Sequence, residues 1–193
     1  MSKLLGRLFL LLLLLIFGIW LGCGLELAWQ QTTPEQPSPA GGATPQVALS
    51  RLPADLPSNV RVFVRVALPF AVQAHQALGW QTSVIVAQWG LEHGWSVPDA
   101  QGYNWGNTTY APGCTQRGGF CYAPTPAEGL REYVYTARLS FYRGVTQAAR
   151  QGAIAMAVAL GRSPWDAGHY THDGHPGDDL LAIWRAFHLD MLD

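Results

Sequence analysis

Three regimes of apolar and polar residues follow one another along the chain. From Leu8 to Leu25 the sequence is apolar and uncharged, with Lys3 and Arg7 ahead of it. A run of that length suits a bilayer-spanning helix, and the flanking cations hold the N-terminus on the cytoplasmic side. Residues 30–58 lose the pattern and carry Pro, Thr, Gln, Ser and Gly, the composition of a flexible linker. From Asn59 onward, apolar residues return at helical spacing. The expected organisation is a transmembrane segment over 1–29, a linker over 30–58 and one folded domain over 59–193.

Within that domain, Val60–Leu78 reads as a helix behind the caps Ser58 and Asn59. Val62, Val66, Phe70 and Ala74 fall on one face, and Pro69 predicts a kink. The next stretch, Thr82 to Glu92, is apolar almost all round, which marks a buried central helix capped by Thr82 or Ser83. One carboxylate, Glu92, sits at its end, two residues before the helix-stopping Gly94. A buried charge is costly unless paired or neutralised, and burial favours the protonated form that a general acid needs. A solvent-capped Glu at a frayed end is the structural alternative.

Residues 96–124 have no helical period and predict an irregular lobe with a short hairpin. Thr125-Pro126-Ala127-Glu128 then combines an N-cap Thr, Pro at the first helical position and Glu at the third, which makes Glu128 a capping residue. That helix is expected to run to Phe141. Further helices are expected over Thr146–Leu160 and Leu180–Leu189, the last begun by Asp178 or Asp179. The fold class is α+β, mainly helical.

The formal net charge of −1 argues against an electrostatic nucleic-acid binder. Eight tryptophans and seven tyrosines serve either a small core or sugar stacking. The anchor places the domain outside the cytoplasm, where Cys114 and Cys121 are expected to form a disulfide. No A-x-A site ends the apolar run, so it reads as an uncleaved signal anchor. Leu21-Gly22-Cys23 leaves a lipidated Cys23 as the alternative. His169, His172, Asp173, His175, Asp178 and Asp179 are dense in metal-ligand types, but Gly174 and Pro176 make the stretch a polar loop, and no metal is expected. No G-x-S-x-G elbow or phosphate-binding loop is present, and no cofactor is expected.

Ser83-Val84, Ala87-Gln88, Leu91-Glu92 and Gly94-Trp95 resemble the S-v-x-x-A-Q-x-x-L-E-S-G-W pattern of the bacterial glucosaminidases of glycoside hydrolase family 73, with His93 in place of Ser. Asn104-Trp105-Gly106 is similar to the family's N-[LW]-[FW]-G, Phe63, Pro69 and Ala71 to its F-x5-P-x-A helix, and Tyr122 to Tyr133 to its Y-x-[ST]-x-x-E-[GS]-[LI]-x-x-[YH] segment. The resemblance implies a lysozyme-like fold with a small β lobe and an extracytoplasmic peptidoglycan hydrolase tethered to the cell membrane. It implies cleavage of the β-1,4 bond between N-acetylglucosamine and N-acetylmuramic acid, with Glu92 as general acid and Tyr170 beside it. Gln88, Tyr103, Asn104 and Trp105 are the implied substrate-binding residues, and glycan strands and the membrane the implied partners. The family often supplies a second acid from the lobe after the Asn motif, yet no Asp or Glu lies between Asn107 and Ala123. Asp99 is the nearest replacement in sequence. A lytic transglycosylase or muramidase of the same superfold, and a non-catalytic wall-binding module, stay open.

Overall fold

The computed structural model describes residues 45–98, 102–166 and 168–193. The apolar run Leu8–Leu25, Cys23, the linker's first part and Asp99 lie outside the described residues. Among those described, no helix is long and apolar enough to cross a membrane. The chain from Ala43 to Asp193 forms one compact unit. It is mainly helical, with two short antiparallel hairpins: α1 Pro45–Arg51, α2 Ser58–Leu78, α3 Thr82–Glu92, β1 Thr115–Arg117, β2 Phe120–Tyr122, α4 Pro126–Ala137, α5 Arg143–Ala149, α6 Ala153–Gly161, β3 Thr171–His172, β4 His175–Pro176 and α7 Asp178–Ala186. Short 3₁₀ turns cover Ser140–Tyr142 and Leu189–Leu192.

Helix α3 is the axis of the unit. Every residue from Thr82 to Gly90 is buried, and α2, α6, α7 and the Leu189–Leu192 turn pack around it. This is the consequence of an all-round apolar surface, which only burial on every side can satisfy. Neither Thr82 nor Ser83 is the N-cap; Gln81 holds that position and lends no side-chain bond. The cap comes from far along the chain. Asp193 accepts the Ser83 N–H at 2.9 Å and the Ser83 hydroxyl at 2.5 Å. A carboxylate there also answers the positive end of the helix dipole.

Further expectations change. The segment read as linker contains α1, and Ala48, Leu52 and Leu56 are buried in the common core. Its apolar residues are too few for a periodic signal, but they have a surface to cover. Helix α2 buries Val60, Phe63, Val64, Ala67, Leu68, Ala71 and Ala74, whereas Val62 is exposed and Val66 and Phe70 are only half-buried. The true face is rotated from the four-residue stripe toward Val60, Phe63, Val64, Ala67 and Ala71, the side on which α2 meets α3 and α4. Helix α4 ends at Ala137 instead of Phe141. The single helix expected over Thr146–Leu160 is two, broken at Gly152, whose φ of 113° no other residue type adopts readily.

Thr125 caps α4 as expected: its hydroxyl accepts the Glu128 N–H and bonds the Glu128 carboxylate. One turn in, Gly129 lies against the Tyr103 carbonyl so closely that a Cβ would overlap it. That approach seats α4 on the 103–105 segment. The first hairpin, β1–β2, turns through Gly118 and Gly119, both at positive φ, and the Cys114–Cys121 disulfide closes its base with a Cα–Cα distance of 5.5 Å. The His-rich stretch, expected as a loop, is the hairpin β3–β4, turning through Asp173 and Gly174 at positive φ.

Candidate active site

Glu92 ends α3 with its side chain 4 % exposed, and both carboxylate oxygens are held. The Tyr170 hydroxyl donates to Oε1, and Asn107 Nδ2 donates to Oε2 at 2.7 Å and to the Glu92 carbonyl at 3.2 Å. Asn107 reaches both because its backbone is left-handed, with φ at 49°, a conformation Asn tolerates better than most residues. Behind Tyr170, the bonds run in one direction. Tyr133 donates its hydroxyl to Gln88 Oε1 at 2.7 Å, and Gln88 Nε2 donates to the Tyr170 oxygen at 3.1 Å. The Tyr170 oxygen is thus an acceptor from behind, and its proton is committed to Glu92. Burial and the nearby Glu92 charge push the Tyr170 phenol well above its ordinary value. Burial does the same for Tyr133. Both remain neutral donors.

Asp166 holds the segment that carries Tyr170. Its Oδ1 accepts from the N–H groups of Gly168 and Tyr170, at 2.7 and 2.9 Å, and its Oδ2 accepts from the Thr171 hydroxyl at 2.6 Å. Burial works to raise this carboxyl, but those bonds, helped by the nearby His169, outweigh it and hold the group below its ordinary value. The same segment places His169 Nε2 at 3.6 Å from Glu92 Oε1, with the imidazole half exposed.

Glu92 faces an open groove with two halves. One, of 810 Å³, runs between the end of α3 and the β1–β2 hairpin, past His93, Val97, Arg117 and Tyr122. The other, of 370 Å³, runs past Thr136, Tyr142, Trp165 and His169. Glu92, Asn107 and Phe120 line both. Phe120 is exposed at the tip of the hairpin, and the Arg117 guanidinium lies 3.7 Å from the Tyr122 ring centre. Among the described residues lining the groove, Glu92 is the sole carboxylate. His93 is spent on structure: its Nε2 lies 2.9 Å from the Asn104 carbonyl, which as an acceptor requires a proton on that nitrogen. Burial pushes its imidazole below the ordinary value, so it is neutral.

The remaining sequence candidates occupy other places. Gln88 is fully buried and touches Tyr133 and Tyr170, so it orients the site and presents nothing to a substrate. Trp105 is also fully buried, stacked at 4.8 Å on Trp89, with its N–H bonded to the Pro126 carbonyl; no sugar can reach its face. Asn104 borders the groove, but its amide holds the Thr108 backbone and hydroxyl. Tyr103 is half-buried against Trp105, away from the groove lining. These residues build the wall behind the site. Asn107, Asp166 and His169 belong to the site itself; the Asn104-Trp105-Gly106 motif stops one residue short of Asn107, and His169 stood out only within the polar, His-rich stretch.

Scans against protein-family models, curated proteins and solved structures found no match to this chain.

Proposed function

We propose that this chain is a peptidoglycan hydrolase, an endo-β-N-acetylglucosaminidase in which Glu92 protonates the leaving glycosidic oxygen. The observation that carries the proposal is the single, doubly held carboxylate facing a groove that continues on both sides of it. An endo-acting glycosidase needs an acid midway along a polymer-sized channel. The helical body, with a disulfide-tied hairpin along one side of the groove, supports a lysozyme-like fold. The apolar run Leu8–Leu25 would tether the domain outside the cytoplasm, and the disulfide is in keeping with an oxidising compartment. The ligands would be glycan strands. Phe120, exposed beside Glu92, offers a sugar face a stacking surface.

The absence of another carboxylate among the described groove residues favours a second reading: one-acid chemistry, as in a lytic transglycosylase, where the substrate's own hydroxyl closes the ring. The test incubates the fragment from Gln31 onward, and its Glu92→Gln form, with purified peptidoglycan. Mass spectrometry before and after borohydride reduction reads the new ends. Reducible N-acetylglucosamine ends, reduced about 10²–10⁴-fold or more by the substitution, support the glucosaminidase. Reducing or anhydro-muramic ends move it to the second reading. Binding to the wall without any new ends makes it a binding module.

A further inference from the structure

The imidazole of His169 lies beside the acid, and among the described residues no hydrogen bond ties it down. Its Nε2 is 3.6 Å from Glu92 Oε1, its ring meets the Tyr170 ring edge-on at 5.2 Å, and half of its side chain faces the groove. The loop that carries it is fixed independently by three hydrogen bonds to Asp166. We propose that His169 is the proton-relay residue of this site, returning a proton from solvent to Glu92 after each cleavage. This rests on the glycosidase reading of Glu92.

The separation decides the role. Two groups acting across a sugar ring as acid and base stand about 6.5–9.5 Å apart, and an acid and a nucleophile about 5–5.5 Å. At 3.6 Å, His169 is too close to Glu92 to act across a sugar ring from it. It exchanges protons with the acid instead of attacking or activating water opposite it. The step balances simply. Glu92 gives its proton to the leaving oxygen, and the attacking water releases one to solvent. The His169 imidazolium, half exposed and turning from 3.6 Å into hydrogen-bond reach, then transfers its Nε2 proton to a Glu92 oxygen, and the neutral imidazole takes a proton from solvent. No other described group can do this. Tyr170 accepts from Gln88 behind it and has its own proton committed to Glu92, Asn107 does not titrate, and the neighbouring His93 holds its Nε2 on the Asn104 carbonyl. The charged or titratable groups around the pair are Asp166 beneath His169, and Tyr170 and Tyr133 behind Glu92.

The test uses the full chain and its His169→Ala and His169→Gln variants on peptidoglycan, following new ends against pH. His169→Ala is expected to lower the turnover at least about tenfold, less than loss of the acid itself, and to change the shape of the pH profile. Millimolar free imidazole should restore much of the rate in His169→Ala, because the vacated site opens on the groove; His169→Gln should stay slow and gain little. Wild-type turnover and an unchanged profile in either variant overturn the relay. So does a loss that imidazole leaves untouched with the pH profile unaltered, which is the signature of mere support. A wild-type chain that releases no ends overturns the glycosidase reading, and the relay with it; an active wild type with indifferent variants overturns the relay alone.

Discussion

Glu92 has both oxygens occupied by donors before any substrate arrives, and those donors are themselves locked. Tyr170→Phe removes the link between Gln88 and Glu92 and leaves a buried amide N–H without an acceptor. Such an orphan costs about 1–3 kcal/mol, so both the melting temperature and the turnover should fall, the latter on the order of ten- to a hundredfold. A Phe variant with unchanged turnover would remove Tyr170 from the mechanism. Glu132 shows the opposite problem. It is 2 % exposed on α4, its Oε2 has no partner among the described residues, and burial pushes its carboxyl above the ordinary value. The folded state therefore favours the protonated form, and the stability that goes with it is lost as pH rises through the raised value. Glu132→Gln should melt higher than wild type at neutral pH, with the gap closing as pH falls below the ordinary carboxylate range. Asp166 runs the other way: its support of the Tyr170 segment is complete above the ordinary range and fades as pH falls through its lowered value. Glu92 was legible as a charge ending an apolar helix. Glu132 was not, because a carboxylate in the middle of an amphipathic helix has no sequence mark of burial.

The elements framing the groove depend on close approaches and cross-links. Breaking the disulfide with Cys114→Ser and Cys121→Ser should cost about 2–3 kcal/mol by the loop-entropy model and loosen the hairpin that presents Phe120. Calorimetry of the double variant measures the first effect; glycan binding measures the second. Gly129→Ala would drive a methyl into the Tyr103 carbonyl and should destabilise by about 1–3 kcal/mol or more. Sequence patterns foretold the α4 cap, since Thr125, Pro126 and Glu128 act locally. They misjudged the β3–β4 hairpin, where Asp173-Gly174 is a strong turn signal that Pro176 obscured; Pro176 is accommodated at the end of an edge strand. The family resemblance implied a substrate-binding Trp105, but tryptophan suits both sugars and cores, and this ring is buried in the core.

For the whole molecule, the core begins earlier than periodicity indicated. Leu52 and Leu56 close one side of it, and each is worth roughly 1.5–3 kcal/mol when fully buried. A fragment starting at Asn59 should therefore unfold at lower denaturant than one starting at Ala43, with a smaller slope from the smaller buried surface. Equal midpoints would return α1 to the linker. The buried axis around α3 was readable because its apolar surface leaves no alternative, whereas the cap of that helix was not, since Asp193 carries no sign of its target.

That cap has a consequence for assembly. The bond from Ser83 to Asp193 spans 110 positions of sequence, and contacts of such separation close slowly because a long loop must first be drawn together. A chain in which Asp193 has not yet met Ser83 holds the Glu92 helix with an unfinished start, so completing this helix waits on a long-range contact.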